Sequence, residues 1–342
     1  MSKKFFLTGG AGFIGSNYVR RLILRGEDVT ILDNLSRKGS NANLDWLKKE
    51  TGKNSFELIK GDVRDFELLR KSLKKPDVIV HLASQVAVTT SVVNPIEDFE
   101  INAHGTLNVL EAARLSGNFP IVVYASTNKV YGGLEDLRII EEDTRYKFQD
   151  KIDGIDENRN LDFHSPYGCS KGCGDQYTRD YHRIFNIPSV VFRQSCIYGE
   201  RQFGLEDQGW VAWFLIAAAK NERINIFGDG KQVRDLLNIK DLLDAYDLAI
   251  EKKEISAGKI YNIGGGINQS ISIWKEFSTF LQSITQKDLI VDYNDWRLGD
   301  QKVYISDNKK IINELNWQPK IGIEQGIRQL YEWILANISL FK

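Results

Sequence analysis

Of the thirteen tyrosines in this 342-residue chain, only Tyr167 has a lysine four residues further on, Lys171. On a helix that spacing puts both side chains on one face, about 5–6 Å apart at Cβ. A phenol with its ordinary pKa near 10 is a poor base at neutral pH, and bringing it close to 7 takes about 4 kcal/mol. A neighbouring ammonium and an adjacent cationic ring can supply that by stabilising the phenolate. About one such Tyr–Lys pair is expected by chance in a chain this rich in lysine, so its placement has to carry the reading. The pair falls on a helix that follows a strand ending in Ser126-Thr127. A hydroxyl there can align a substrate hydroxyl with the tyrosine. Thr127 then orients, Tyr167 moves the proton and Lys171 tunes the tyrosine.

A second constellation lies at the start of the chain. Thr8-Gly-Gly-Ala-Gly-Phe-Ile-Gly-Ser-Asn17 follows the apolar run Phe5-Phe6-Leu7 and precedes apolar residues at helical spacing from Phe13 to Leu24. Gly10 allows a tight turn, Gly12 lets backbone approach a pyrophosphate, and Gly15 lets helix and strand pack closely; Gly9, Gly12 and Gly15 also form a series spaced by three. The helix start offers N–H groups and partial positive charge to phosphates. The next apolar run, Val29 to Leu32, ends in Asp33, eighteen residues after Gly15. An acid there accepts from an adenosine ribose and repels a 2′-phosphate, which points to NAD. Arg37 and Lys38, in the polar loop 34–40, keep NADP as the minor alternative. Asp62, just past the strand 56–59, either accepts from an adenine amino group or caps the helix that starts near Asp65. Small residues after His81, namely Leu82-Ala83-Ser84-Gln85, let a cofactor lie across that strand end. Lys171 would hold the nicotinamide ribose.

These residues need a scaffold of alternating strands and helices. Runs at 5–7, 29–32, 56–59, 76–82, 121–125 and 189–192 read as strands, with helices over 13–24, 41–49, 100–115 and 165–185 between them. That order gives an α/β fold with a doubly wound parallel sheet. Between Lys129 and Asp162 periodicity fails and charge accumulates, which reads as a partly ordered cover over the site. After Gly199 the pattern changes to helices over 210–219, 240–250, 271–284 and 322–336, with short strands at 224–227 and 260–263. The division expected is therefore a dinucleotide-binding domain over 1–198 and a smaller α/β substrate lobe built mostly from 199–342.

Lys and Arg number 45 against 46 Asp and Glu, a net charge of −1. The balance gives no electrostatic reason to expect nucleic acid or a membrane surface as partner. No run approaches the roughly 18 apolar residues of a membrane span, so a soluble cytoplasmic chain is expected. Three cysteines, Cys169, Cys173 and Cys196, suit reduced thiols; the first two are four apart but lack a companion pair, so no metal is expected.

Thr8 to Asn17, Ser126-Thr-Asn-Lys-Val-Tyr-Gly132 and Tyr167 to Lys171 together resemble the extended short-chain dehydrogenase/reductase family of nucleotide-sugar epimerases and dehydratases. Asp33 to Gly39, Leu161 to Gly172, Asp207 to Val211 and Gly230 to Asp235 narrow the likeness, and the matched stretches spread over about two thirds of the chain. The resemblance implies a tightly held NAD that oxidises a CDP-hexose at C2 and returns the hydride to the other face. Dehydratases of the family carry Asp-Glu after the threonine; here Asn128 and Lys129 stand there, and neither can act as a carboxylate. The resemblance extends the cofactor contacts to Phe13, Ile14, Asn34, Ser36, Val63, Asn102, Ser126 and Gln194. For the sugar nucleotide, Arg201, Lys231, Arg234 and Arg297 could neutralise a pyrophosphate. The resemblance favours Arg234 and Arg297, with Asp300 accepting from a ribose hydroxyl, and adds Asn128, Lys129, Gln194, Ser195 and Val211. A UDP-hexose 4-epimerase and a non-catalytic NAD-binding regulator stay open. Helices 100–115 and 166–185 are candidate faces for a homo-oligomer.

Overall fold

The structure is a computed structural model and describes residues 2–150, 152–297 and 299–341. The chain divides into two compact units. The first takes Met1–Thr127, Ser165–Arg193 and Leu243–Tyr261; the second takes Asn128–His164, Gln194–Leu242 and Asn262–Lys342. Instead of one boundary near 198, the chain passes repeatedly from one unit to the other.

In the first unit, apolar runs form β1 (Lys4–Thr8), β2 (Asp28–Asp33), β3 (Glu57–Lys60), β4 (Val78–His81), β5 (Ile121–Thr127), β6 (Ser189–Gln194) and β7 (Lys259–Ile263). They make one seven-stranded sheet in the order β7-β6-β5-β4-β1-β2-β3. The ladders of β1 with β2 and β4, of β2 with β3 and of β4 with β5 are parallel. Phe5, Phe6, Leu7, Val78, Ile79, Val80, Val122 and Val123 are all buried, as expected of parallel strands covered on both faces. Strand order reverses between β1 and β4, so their carboxyl ends form the switch point at which Rossmann-type sheets bind ligands. The run 260–263, expected in the smaller lobe, instead supplies the sheet's edge strand β7.

Four helices position the chemistry: α1 (Phe13–Leu24), α2 (Phe66–Ser72), α3 (Gly105–Leu115) and α4 (Ser165–Phe185). The helix expected over 100–115 is not uniform. Residues Glu100–His104 form a π-turn ahead of α3, with Asn102 buried inside it. Such turns occur often at functional sites. α4 opens on Ser165, whose Oγ accepts the Gly168 N–H at 3.2 Å, followed by Pro166. A capping hydroxyl with proline in the first turn fixes that start.

In the second unit, Val233–Asn238 pairs antiparallel with Ser270–Ser272 and parallel with Val303–Tyr304 and Cys196–Tyr198. Ile224–Phe227 pairs parallel with Val291–Asn294. The helix expected over 271–284 is a strand, Ser270–Ser272, and then a shorter helix, Phe277–Thr285; the pairing of Ser272 with Val233 takes the first turn away. The stretch 129–162, expected to be partly ordered, has regular structure of its own. It forms a hairpin, Ile139–Glu141 with Tyr146–Phe148, and buries Val130, Tyr131, Leu134, Tyr146, Phe148 and Ile155 with Val233, Val303, Tyr304 and Ile305. Its apolar residues meet distant partners, so no local period announces them. Among the described residues no helix is long and apolar enough to cross a membrane, and no group of three His, Cys, Asp or Glu could hold a metal ion.

Candidate active site

β1 runs into the glycine loop with no slack. Gly9 holds a φ of +72°, and a Cβ there would lie 2.7 Å from the Ala83 nitrogen. A Cβ on Gly15 would lie 2.3 Å from the Gly9 carbonyl oxygen. The loops after β1 and β4 therefore press on each other, and α1 presses on the first. Gly12 is the N-cap of α1, with no side-chain cap and no acid in the first turn. The helix start is thus left to a ligand anion. Phe13, Ile14, Leu82 and Ala83 are half-buried around this loop.

Asp33 is braced by the same loop. Its Oδ2 accepts the Ala11 N–H at 2.9 Å and its Oδ1 that of Leu35 at 2.8 Å. Burial raises its pKa, and those two bonds oppose the rise. Ser36 donates to Asn34 Oδ1 at 2.7 Å, and Asn34 donates to Asp62 at 2.9 Å. Asp62 pairs with Arg64 at 2.9 Å, which holds its carboxyl at about 2. The cap of α2 is Asp65, which accepts from Leu68, so the capping alternative for Asp62 falls away. Val63 is buried in the core under Gly105. A helix start suited to diphosphate, with an acid held at the end of β2 for a ribose, fits a dinucleotide.

The proton-transfer set also lies in this unit. The Thr127 hydroxyl hydrogen-bonds the Tyr167 phenol, and Ser91 Oγ accepts the Tyr167 N–H at 3.1 Å. Burial pushes the phenol up to about 12; the Thr127 bond and the Arg37 charge act downward, the Asp98 charge upward. Lys171 is 4% exposed, and burial pushes it down to about 7 against the pull of Asp98 and Asp175. The expected lowering of the phenol by the lysine is not among the influences on it, and burial sets the direction. Both groups share one dry environment, which penalises each charged form.

Around this set several polar side chains are already committed. Asn102 donates to the Gln85 carbonyl and to Asp98, each at 3.1 Å, and its Oδ1 accepts the Gln85 N–H at 2.9 Å. Gln85 also donates to Asp98 at 3.1 Å. Both brace the loop after β4 rather than standing open to a ligand. Ser126 donates to Asp175 at 2.8 Å. Asp98, which sequence reading passed over, joins these groups to Ser170 on α4. One acid in the mixed stretch before the π-turn carries no spacing signal of its own.

A different cluster forms in the second unit. Arg234 Nη2 lies 2.7 Å from Asp300 Oδ1, and Lys129 Nζ lies 3.6 Å from the same oxygen. Burial alone would raise the Asp300 pKa, but the charges of Arg234, Lys129 and Arg297 outweigh it and hold the carboxyl below its usual range. Burial pushes Lys129 down while Asp300 supports its charge. Arg297 sets its guanidinium 3.9 Å from the centroid of the Phe227 ring and donates to the Glu206 carbonyl at 3.0 Å. Three cationic side chains around one carboxylate suit a diphosphate, with bidentate geometry available from the arginines. Gln301, also missed, is fully buried; it donates to the Gly132 carbonyl at 2.6 Å and lies 3.5 Å from both Asn128 Nδ2 and Lys129 Nζ. Its only sequence signal was its place beside Asp300.

Four further expected contacts are engaged within the second unit. Arg201 holds its guanidinium 5.2 Å from the Trp333 ring, and Lys231 pairs with Glu141 at 2.7 Å. Ser195 donates to the buried Asp235, and Val211 packs inside the helix Trp210–Lys220. Gln194, 8% exposed, closes β6.

A family model described as GDP-mannose 4,6 dehydratase matches residues 6–330. The chain is 44% identical over 337 residues to CDP-paratose 2-epimerase of Salmonella typhi, covering 96% of this chain and 98% of that protein. A solved dTDP-glucose 4,6-dehydratase from Streptomyces venezuelae, with NAD bound, superposes with a TM-score of 0.85 at 28% identity, covering 99% of each chain. UDP-glucuronic acid 4-epimerase from Bacillus cereus, in complex with UDP-glucuronic acid and NAD, gives a TM-score of 0.83 at 26% identity, covering 98% of this chain and 99% of that one.

Proposed function

The chain belongs to the GDP-mannose 4,6-dehydratase family, within the extended short-chain dehydrogenase/reductases, and we propose that it epimerises a CDP-hexose at C2, as from CDP-paratose to CDP-tyvelose. It is a nucleotide-sugar isomerase that uses NAD. The observation that carries the choice of reaction is an intact Thr127, Tyr167 and Lys171 set with Asn128 and Lys129 in the two positions where dehydratases of the family hold carboxylates. A binding-only regulator has no need of that set.

NAD, when bound, supplies reversible hydride acceptance and a cationic ring that favours the Tyr167 phenolate. Asp33 and the start of α1 hold its adenosine and diphosphate. Thr127 would orient the C2 hydroxyl, Tyr167 would take its proton as C2 gives up its hydrogen as hydride, and Lys171 would stabilise the phenolate and hold the cofactor's ribose. The 2-keto sugar turns its other face by rotation about the bonds to the diphosphate, while Arg234, Arg297 and Asp300 keep the nucleotide anchored. Tyr167 then returns the proton. Substrate deuterated at C2 is expected to give product that keeps the label at C2, and reaction in heavy water to place no deuterium on carbon. Solvent deuterium at C2 would show an enolate route and end this reading. An isotope effect from C4 label alone would instead favour 4-epimerisation, the activity of the Bacillus cereus relative.

Val93, Ile96 and Phe99 are exposed apolar side chains ahead of the π-turn. They suit a second copy of this chain in the cytoplasm, and light scattering at the monomer mass would refute that.

A further inference from the structure

Lys171 has a neighbour outside the Tyr–Lys motif. Its Nζ lies 4.4 Å from the centroid of the Tyr124 ring on β5. The ring is clamped there. Its hydroxyl donates to the Lys171 carbonyl at 3.2 Å. A Cβ on Gly174 would lie 2.4 Å from that hydroxyl, so the glycine leaves the room the phenol takes. His81 stacks on Tyr124 with centroids 5.6 Å apart and an interplanar angle of 30°. Its own ring is fixed at both nitrogens, by Thr8 Oγ1 at 2.7 Å and Thr106 Oγ1 at 3.0 Å. The buried phenol is satisfied by the Lys171 carbonyl and by the Thr106 hydroxyl; neither bond requires the ring to lie against an ammonium.

We propose that Tyr124 is a positioning residue whose ring carries the Lys171 ammonium and keeps it charged in a site dry enough to neutralise it, with His81 as an uncharged backing. The proposal rests on the reading of Lys171 as partner of Tyr167 and of the cofactor ribose.

The other groups facing Lys171 explain why an aromatic face is useful. Burial drives the lysine toward its neutral form, and Asp98 and Asp175 oppose that. Asp175 is shared with Arg193 at 2.8 Å and with Ser126, so little of its charge is left for the lysine. Asp98 has its own pKa raised by burial. Burial keeps the Tyr167 phenol neutral. Burial, helped by the Lys171 charge, pushes His81 down to about 3, so no imidazolium repels the ammonium. Burial also keeps the Cys173 thiol, near Tyr124, uncharged. A ring face attracts a cation and cannot itself be protonated away.

The test follows the lysine directly. Protein made with lysine 13C-labelled at Cε is titrated by NMR, the Lys171 signal being assigned by its loss in Lys171→Arg. Tyr124→Phe keeps the ring and should leave the midpoint in place. Tyr124→Leu should lower it by about one pH unit or more, the scale of a desolvated cation–ring contact. Should the leucine variant fail to fold, phenylalanine at 124 carrying increasing ring fluorine keeps the shape while weakening the face, and the midpoint should fall stepwise. An unchanged midpoint in the leucine variant, or none moved along the fluorine series, overturns the proposal. In turnover, the alkaline limb of kcat should shift to lower pH by the same amount. A purely structural role would lower kcat and leave the limb where it was. The lysine signal needs no substrate, so failure of the epimerase reading is seen separately.

Discussion

In the first unit the groups suited to a ligand's phosphates are backbone N–H groups at the start of α1, and the acid beside them, Asp33, is held by the same glycine loop. In the second unit the cationic groups are side chains, Arg234, Arg297 and Lys129 around Asp300. Backbone donors are fixed by steric fit and have no charge to lose. Side-chain charges must be kept from neutralising one another, and here one carboxylate shared by three cations leaves the cluster net positive. A site for a retained cofactor suits the first design. A site that must grip a nucleotide and then release it suits the second, because the carboxylate competes with the diphosphate for the same arginine.

The sharpest way to separate the two is to remove chemistry without removing either grip. Tyr167→Phe is expected to lower kcat at least ~100-fold, the scale of general acid–base catalysis, with NAD content unchanged by absorbance after denaturation. Loss of NAD alongside activity would mean that the first unit cannot divide holding from reacting. Next in size, Gly15→Ala places a Cβ 2.3 Å from the Gly9 carbonyl, a backbone atom that cannot rotate away. A loss of about 1–3 kcal/mol by urea denaturation, with reduced NAD content, is expected. A stable, fully loaded variant would show that the loop is looser than its steric fit implies. The smallest effect belongs to the second unit. Arg234→Ala should raise KM for the sugar nucleotide about 10-fold while kcat and NAD content hold, since it removes a charged hydrogen bond worth about 1.5 kcal/mol or more. A fall in kcat with KM unchanged would place Arg234 in the chemistry instead.

The same contrast explains what the sequence made legible. Glycines at 9, 12 and 15 are read from a local rule, because each is demanded by backbone within a few residues or by an adjoining strand. Tyr167 and Lys171 are read from helical spacing once β5 ends in Thr127. The second cluster has no such rule. Arg234 and Asp300 are 66 residues apart, and Asn128 and Gln301 are 173 apart. Charge alone therefore put Arg201 and Lys231 on equal footing with Arg234, and only packing sent one to Trp333 and the other to Glu141. Asp98 and Tyr124 were hidden for a related reason: a buried acid and a strand tyrosine look like any other until their neighbours are known. The hairpin of 139–148 was lost because its apolar residues answer to partners such as Val233 and Tyr304.

The late return of the chain into the first unit has a consequence for how the molecule is made. Tyr18 on α1 donates to Asp247 at 2.9 Å, and Arg21 pairs with both Asp244 and Asp247. The sheet's edge is β7, at 259–263. During synthesis from the amino end, the glycine loop is therefore complete long before the helix and strand that steady it have emerged. Some 260 residues must leave the ribosome before the cofactor-binding unit can close, and the nascent chain spends the interval after the glycine loop emerges with an unpaired strand and the flank of α1 uncovered. A chain cut at residue 198 carries every glycine of the loop and the whole Tyr–Lys pair, yet lacks the helix and the edge strand that complete the unit around them.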